Sequence, residues 1–352
     1  MLRTSRVFLS VASNTFVVPA GVTTLLVSPR SIDGRLFAAS SAQHSVFIDR
    51  NYNAWAWGDA FSGRLGDNTT VNKSSPVQVV GGYKFVQVSA GSYHSLALDA
   101  SGNAWAWGRN AEGQLGDNTT GSKLSPVQVV GGYKFVQVSA GGYHSLALDA
   151  SGNAWAWGLA TSGQLGDNTT VNKSSPVQVV GGYKFVQVSA GSAHSIALDA
   201  SGNAWAWGYA YYGLLGDNTT VNKSSPVQVV GGYKFVRVSA GGYHSLALDA
   251  SGNAWAWGYA FDGQLGDNTT VNKSSPVQVV GGYKFVQVSA GDSHSLALDA
   301  SGNVWAWGYA FDGQLGDNTT VNKSSPVRVV GGITFNINPN PTFMSIQVTP
   351  GQ

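Results

Sequence analysis

The 352 residues contain no cysteine, so disulfide staples and thiolate chemistry are excluded; that absence does not decide the compartment. Charge is scarce. Only 11% of residues are Asp, Glu, Lys or Arg, Glu112 is the sole glutamate, and the net charge is +2. Asp67, Lys73, Lys84 and Asp99 recur along the chain and cancel locally, and no basic stripe or tail stands out. Nucleic acid or an anionic membrane surface therefore has no electrostatic footprint here. No run approaches the roughly 20 apolar residues of a membrane span. The opening MLRTSRVFLSVASN has an apolar stretch shorter than the usual signal-peptide core of about 7–15 residues and reads as a strand.

What is present is one 50-residue unit written six times. The copy from Asn103 reads NAWAWGRNAEGQLGDNTTGSKLSPVQVVGGYKFVQVSAGGYHSLALDASG, and the same frame carries Trp55, Trp105, Trp155, Trp205, Trp255 and Trp305 and all six histidines. A fixed period near 50 residues marks a propeller, a solenoid or an array. Within a copy the apolar residues alternate with period two, which argues strands. In NAWAW the two Trp share one face and the two Ala the other. FVQVSA and HSLALD alternate likewise, and Val77 and Val79 follow Pro76 in a fourth short strand. Asp99-Ala-Ser-Gly-Asn103 has the composition of a hairpin turn. Four short antiparallel strands per copy make a propeller blade, with large Trp packing into the small Ala face of a neighbour.

The whole chain, 1–352, is thus expected to be one all-β propeller. Residues 33–332 supply six blades; segments 1–32 and 333–352 together match about one further period. In the tail, Ile333-Thr-Phe335 follows Tyr83-Lys-Phe85 and Ser345-Ile346 follows Ser95-Leu96. The expectation is a seven-bladed propeller. Its composite closing blade takes two strands from the tail and two from the head, around Val7–Val11 and Thr23–Val27. A six-bladed ring is the alternative.

The motifs Trp107-Gly108, Gly113-Gln114-Leu115-Gly116-Asp117, Ser125-Pro126-Val127, Ala140-Gly141 and His144-Ser145-Leu146-Ala147-Leu148 resemble the repeat of the regulator of chromosome condensation family. The resemblance covers about 35–330. It implies a propeller, usually seven-bladed, in a family that includes a nuclear exchange factor and many unrelated binding proteins. A shared fold does not carry exchange activity with it. The head segment TFVVPAGVTTLLV resembles a short β-module of phage tail and fibre proteins, which points to a virion or extracellular surface component.

The copies differ mainly at two places. After WAWG they read DAFSGR, RNAEGQ, LATSGQ, YAYYGL and twice YAFDGQ; before the histidine they read SY, GY, SA, GY and DS. Strand alternation puts both places at one end of the ring, while the unchanged DASGN and GGYK loops lie at the other. Tyr-rich, Ser-rich loops give large contact area at low entropy cost, and scaffold-held loops carry function. The candidate ligand-binding residues are Asp59, Phe61, Arg64, Tyr93, Arg109, Glu112, Tyr143, Tyr209, Tyr211, Tyr212, Tyr243, Tyr259, Phe261, Asp262, Asp292, Tyr309, Phe311 and Asp312. The competing explanation is drift in tolerant loops, which would also touch the GGYK loops unless their turns demand those residues.

Catalytic constellations are not evident, so no enzyme activity, cofactor or metal is expected. Each histidine opens a strand within an apolar period and reads as structural. Asp67, Asn68 and Thr69 read as turn formers, since calcium asks for 6–8 oxygens. The expected function is a non-enzymatic recognition propeller, a phage tail or surface component contacting a cell-surface glycan or protein, with other virion proteins as further partners. A purely structural assembly protein is one alternative. A glycan-cleaving enzyme is another, and it would need a close carboxylate pair among Asp262, Asp292 and Asp312.

Overall fold

The computed structural model describes residues 43–49 and 51–331, and the backbone of strands at 10–11, 25–27, 37–38, 334–336 and 344–347. Five repeats form four-stranded antiparallel sheets in simple sequential order. In the blade from Phe85 to Gln128 the four strands are Phe85–Ala90, His94–Asp99, Ala104–Gly108 and Lys123–Gln128. The first repeat gives His44–Ile48, Ala54–Gly58 and Lys73–Gln78 as a three-stranded sheet. We number the blades one to six from this sheet. Among the described residues no helix is long and apolar enough to cross a membrane.

The ring has six blades, which corrects the expectation of seven. Among the described residues the terminal segments build no four-stranded seventh blade. Leu25–Val27, Met344–Gln347 and Thr334–Asn336 form a sheet of three strands, to which the head contributes one strand instead of two. Ser10–Val11 pairs elsewhere, parallel to Phe37–Ala38. The rest of the head strands expected at Val7–Val11 and Thr23–Val27 lies outside the described residues. The physical reason lies in the sequence of these segments. Neither carries the Trp-Ala-Trp alternation that lets a blade present a large face to one neighbour and a small face to the other.

That alternation organises the core. Trp107 is fully buried in a cluster with Ala54, Ala56, Leu65 and Phe85, so a blade-two indole fills the alanine face of blade one. Trp207 packs in the same way against Ala154 and Ala156. Burying a large apolar side chain contributes roughly 1.5–3 kcal/mol, and here the indole is also satisfied: Trp107 Nε1 donates to the Arg64 carbonyl at 2.9 Å.

Adjacent innermost strands are joined by side chains. The Gln137 Nε2 donates to the Val188 carbonyl at 2.8 Å, and its Oε1 accepts from the Val188 amide at 3.2 Å. Gln187 treats Val238 identically. The Ser139 hydroxyl accepts from the Ala190 amide at 3.0 Å. These bonds satisfy backbone groups that a strand edge would otherwise leave open.

Candidate functional site

Because strands alternate in direction, the turn at 91–93 and the long loop at 109–122 emerge at the same end of blade two, and likewise in blades three to six. The loop bases are fixed by conserved chemistry. The Ala60 amide donates to Asn72 Oδ1 at 2.9 Å, and Leu65 is fully buried. Asp67 accepts from the Thr69 amide and hydroxyl and pairs with Lys73 at 3.3 Å, so it shapes the turn as expected. Among the described residues no group of three His, Asp or Glu side chains is placed to hold a metal ion.

The variable side chains meet in two groups across blade boundaries. In the first, Tyr93 and Tyr143 stack with ring centroids 4.7 Å apart. The Arg64 guanidinium lies over Tyr93 at 5.2 Å and that of Arg109 over Tyr143 at 5.6 Å, both cation–π contacts. Arg64 is only 1% exposed; it also reaches the Ser92 carbonyl at 2.9 Å and Asp59 at 3.7 Å. It is therefore a packed residue more than an exposed contact. Arg109 pairs with Glu112 at 2.8 Å. Burial pushes the Tyr143 phenol up to about 12, with the hydrogen bond to Tyr93 adding to the shift. Phe61 is exposed beside Arg64.

The second group spans blades four to six. Tyr212 meets Tyr259 edge-on at 4.8 Å, Tyr211 at 4.9 Å and Tyr243 at 6.4 Å. Tyr209 stacks on Tyr211, and Phe261 lies against Tyr259. Tyr211 and Phe261 are more than 60% exposed, so this is an open aromatic platform. Asp262 and Asp292 flank it, and burial raises the carboxyl of each above its ordinary value. Asp262 accepts from Asn322 Nδ2 at 3.0 Å. Asp292 lies where a Cβ at Gly242 would stand 1.9 Å from its Oδ1. Tyr309 and Phe311 pair with each other at 5.2 Å, with Asp312 exposed on the same loop.

The invariant residues turn out to be structural. His94 Nε2 lies 2.9 Å from the Ser145 hydroxyl of the next blade, and that hydroxyl donates to the Gln114 carbonyl. The serine thus needs its lone pair for the imidazole, which fixes Nε2 as the protonated nitrogen. Burial holds His44, His94, His144 and His244 down to about 3 and His194 and His294 to about 4. At the other end Asp99 accepts from the Ser101 and Asn103 amides, Asn103 Nδ2 and Trp105 Nε1. Tyr83 packs against Trp105 with ring centroids 4.1 Å apart and the planes tilted by 39°, and Lys84 donates to Asn53 of the preceding blade. The GGYK turns therefore do demand their residues. Their constancy gives no evidence against drift, and the chemistry of the variable side chains has to carry the functional reading alone.

Two further departures involve residues that, Asn110 apart, lie outside the variable segments marked in the sequence. In the second copy Ser122 replaces the capping asparagine, and Asn110 replaces Ala60's equivalent. Asn110 donates to Asp117 and accepts from the Leu115 amide, holding the loop from the opposite side. The other is Arg237, which stands where the other FVQVSA strands have glutamine. Aligning the copies residue by residue would have exposed both.

The model of the regulator of chromosome condensation (RCC1) repeat matches residues 53–98, 101–148, 151–198, 201–248, 251–298 and 301–341. No curated protein matches the sequence. Among solved structures, human WBSCR16 is 22% identical over 88% of this chain and 85% of that one, with a TM-score of 0.77. Yeast RCC1 (Prp20) bound to Kap60 is 22% identical over 89% and 80%, with a TM-score of 0.76. Prp20p of Saccharomyces cerevisiae, described with its binding to Gsp1p and histones, is 24% identical over 90% and 82%, with a TM-score of 0.75. These likenesses are of fold alone; by its six repeat matches this chain belongs to the regulator of chromosome condensation (RCC1) repeat family.

Proposed function

We propose that this propeller is a non-enzymatic recognition module, a phage tail or other surface component that contacts a cell-surface glycan or protein through its variable loop end. The observation that carries the reading is the platform around Tyr212, where loops of neighbouring blades bring five tyrosines and Phe261 together. Aromatic rings held by a rigid scaffold offer large area with little ordering cost. Protein binding by the similar Prp20p structures supports a macromolecular partner.

The test replaces the platform with residues that the third copy already carries at the same places: Tyr209→Leu, Tyr211→Thr, Tyr212→Ser, Tyr243→Ala, Tyr259→Leu, Phe261→Thr and Asp262→Ser. Parent and variant are compared on a glycan array and on candidate host cells. Loss of binding with unchanged thermal stability is expected. Equal binding by both proteins would remove this end of the ring from consideration.

A further inference from the structure

The charges at the variable loop end fall into two kinds. In blades one and two they are paired within their own loops, Asp59 with Arg64 at 3.7 Å and Glu112 with Arg109 at 2.8 Å. Asp262 on blade five and Asp292 on blade six have no such partner: among the described residues neither forms an ion pair. Asp262 takes a hydrogen bond from the neutral Asn322 side chain at 3.0 Å. Asp292 stands against the backbone of blade five in the room that Gly242 leaves. Burial raises both carboxyls, and no positive charge opposes it.

Each of these carboxylates has a ring of the platform beside it. Burial and then the charge of Asp292 raise the Tyr243 phenol; burial and then Asp262 raise that of Tyr259. Tyr212 meets both rings edge-on, and Tyr243 and Tyr259 are inclined to each other by 59° with centroids 6.1 Å apart. Tyr243 is 42% exposed, so the cluster is open to solvent. The face of an aromatic ring is the negative part of its quadrupole and attracts cations. Ring faces and carboxylates here present one sign of charge. An ammonium with N–H groups needs an acceptor for each of them, and ring faces are poor acceptors. A quaternary ammonium has no N–H to satisfy, and its methyl groups pack on rings.

We propose that this platform binds a quaternary ammonium group, with its methyls against Tyr212, Tyr243 and Tyr259 and its charge balanced by Asp262 and Asp292. The proposal rests on reading the platform as the recognition surface, and it names the chemistry which that surface selects.

Choline, Nε-trimethyllysine, ethanolamine and dimethylbutanol, the uncharged analogue of choline, are titrated into the full-length protein, with tyrosine ring resonances followed by NMR. Saturable shifts of Tyr212, Tyr243 and Tyr259 are expected with choline or Nε-trimethyllysine. Their relative affinities tell a headgroup from a methylated side chain as the source. Dimethylbutanol and ethanolamine should each bind at least tenfold more weakly than choline. Two variants take residues that the third copy already carries at these places, Tyr259→Leu and Asp292→Ser. Each should lower the affinity for choline about tenfold while the thermal melt stays unchanged. The proposal is overturned by the absence of saturable shifts with either quaternary compound. It is also overturned if dimethylbutanol or ethanolamine matches choline, or if both variants bind choline as tightly as the parent. Should it fail in this way while the sevenfold platform variant still loses binding to cells or glycans, recognition at this end stands and only the ligand class falls.

Discussion

His144 Nε2 and Ser195 Oγ lie 2.9 Å apart across a blade boundary, and both are inaccessible to solvent. The same pair recurs from His44–Ser95 to His244–Ser295. Each boundary between repeats is thus locked by a neutral imidazole whose other nitrogen, Nδ1, is buried without a hydrogen-bond partner.

This arrangement makes the ring acid-sensitive. Burial holds the folded histidines down to about 3–4, whereas in the unfolded chain they titrate near the ordinary 6.5, so below 6.5 the unfolded chain binds more protons and stability falls as pH falls. At pH 5 the loss is about 2 kcal/mol per histidine. Over the ring that is on the order of 10 kcal/mol, comparable with the whole stability of a domain. The depressed carboxyls of Asp99, Asp149 and their equivalents act in the same direction, but at lower pH. Urea denaturation from pH 7 to 4 should show a steep loss beginning below 6.5. H144Q should lose less of its own stability over that range. A flat profile would contradict the account.

Asp149 holds the turn between the second and third strands of its blade. Its carboxylate accepts from the Ser151 amide at 2.9 Å, the Asn153 amide at 2.9 Å, Asn153 Nδ2 at 2.8 Å and Trp155 Nε1 at 3.1 Å. Asp149→Ala should cost about 2–4 kcal/mol, since bonds to a charged group are the stronger kind. Asp149→Asn should cost less. Equilibrium unfolding of the two variants checks the order.

Two glycines should respond differently to alanine. At Gly132, φ is +69° and a Cβ would meet nothing within 4 Å, so Gly132→Ala should cost only the left-handed strain of about 1–2 kcal/mol. At Gly141 a Cβ would stand 2.5 Å from the Gly191 carbonyl oxygen and 2.7 Å from His144 Cε1. Backbone of the next blade cannot yield there, and overpacking should cost about 3 kcal/mol or more. Thermal melts of the pair should rank Gly141→Ala well below Gly132→Ala.

Arg64 occupies a slot that glutamine fills in other copies. Gln164 Oε1 accepts from the Ser162 amide at 2.9 Å, and Gln264 does the same for Asp262 at 3.0 Å. Burial lowers the Arg64 guanidinium from its ordinary value, opposed in part by Asp59. R64Q should therefore be as stable as the parent or up to about 1 kcal/mol more stable, because a buried charge is exchanged for a neutral amide. Calorimetry decides; a marked loss would show that the guanidinium's contacts with Tyr93 and Ser92 outweigh its desolvation.

The blade was legible because its signal is repeated and local. Alternation in NAWAW gave the strands and placed indole against alanine, and parity placed the variable loops together. The termini were not legible in the same way. Phe335 pairs opposite Ile346, whereas in the repeat Phe85 pairs opposite Asp99 and Leu96 opposite Ser89, so the tail does not keep the register that the weak match implied. Similarity at a few positions could not count strands in segments lacking the tryptophan pattern. At the loop end, sequence variation located the aromatic residues but could not show that Arg64 is buried. Nor could it reveal why Gly-Gly-Tyr-Lys stays constant, since the Tyr83–Trp105 ring contact and the Lys84–Asn53 bond join residues distant in the chain. Arg237, a single change inside a strand, lies outside the variable segments marked in the sequence.

The glutamine bridges between innermost strands have a consequence for how such a chain changes over generations. Gln137 grips only backbone atoms of Val188, and Gln187 only those of Val238. Joints of this kind do not register which copy stands next to which. Recombination between copies in register can therefore move a loop from one blade to another without disturbing a joint. The identical YAFDGQ loops at 259–264 and 309–314 are what one such exchange would leave behind. Surface chemistry can be reshuffled by copying alone, while the interior stays the same.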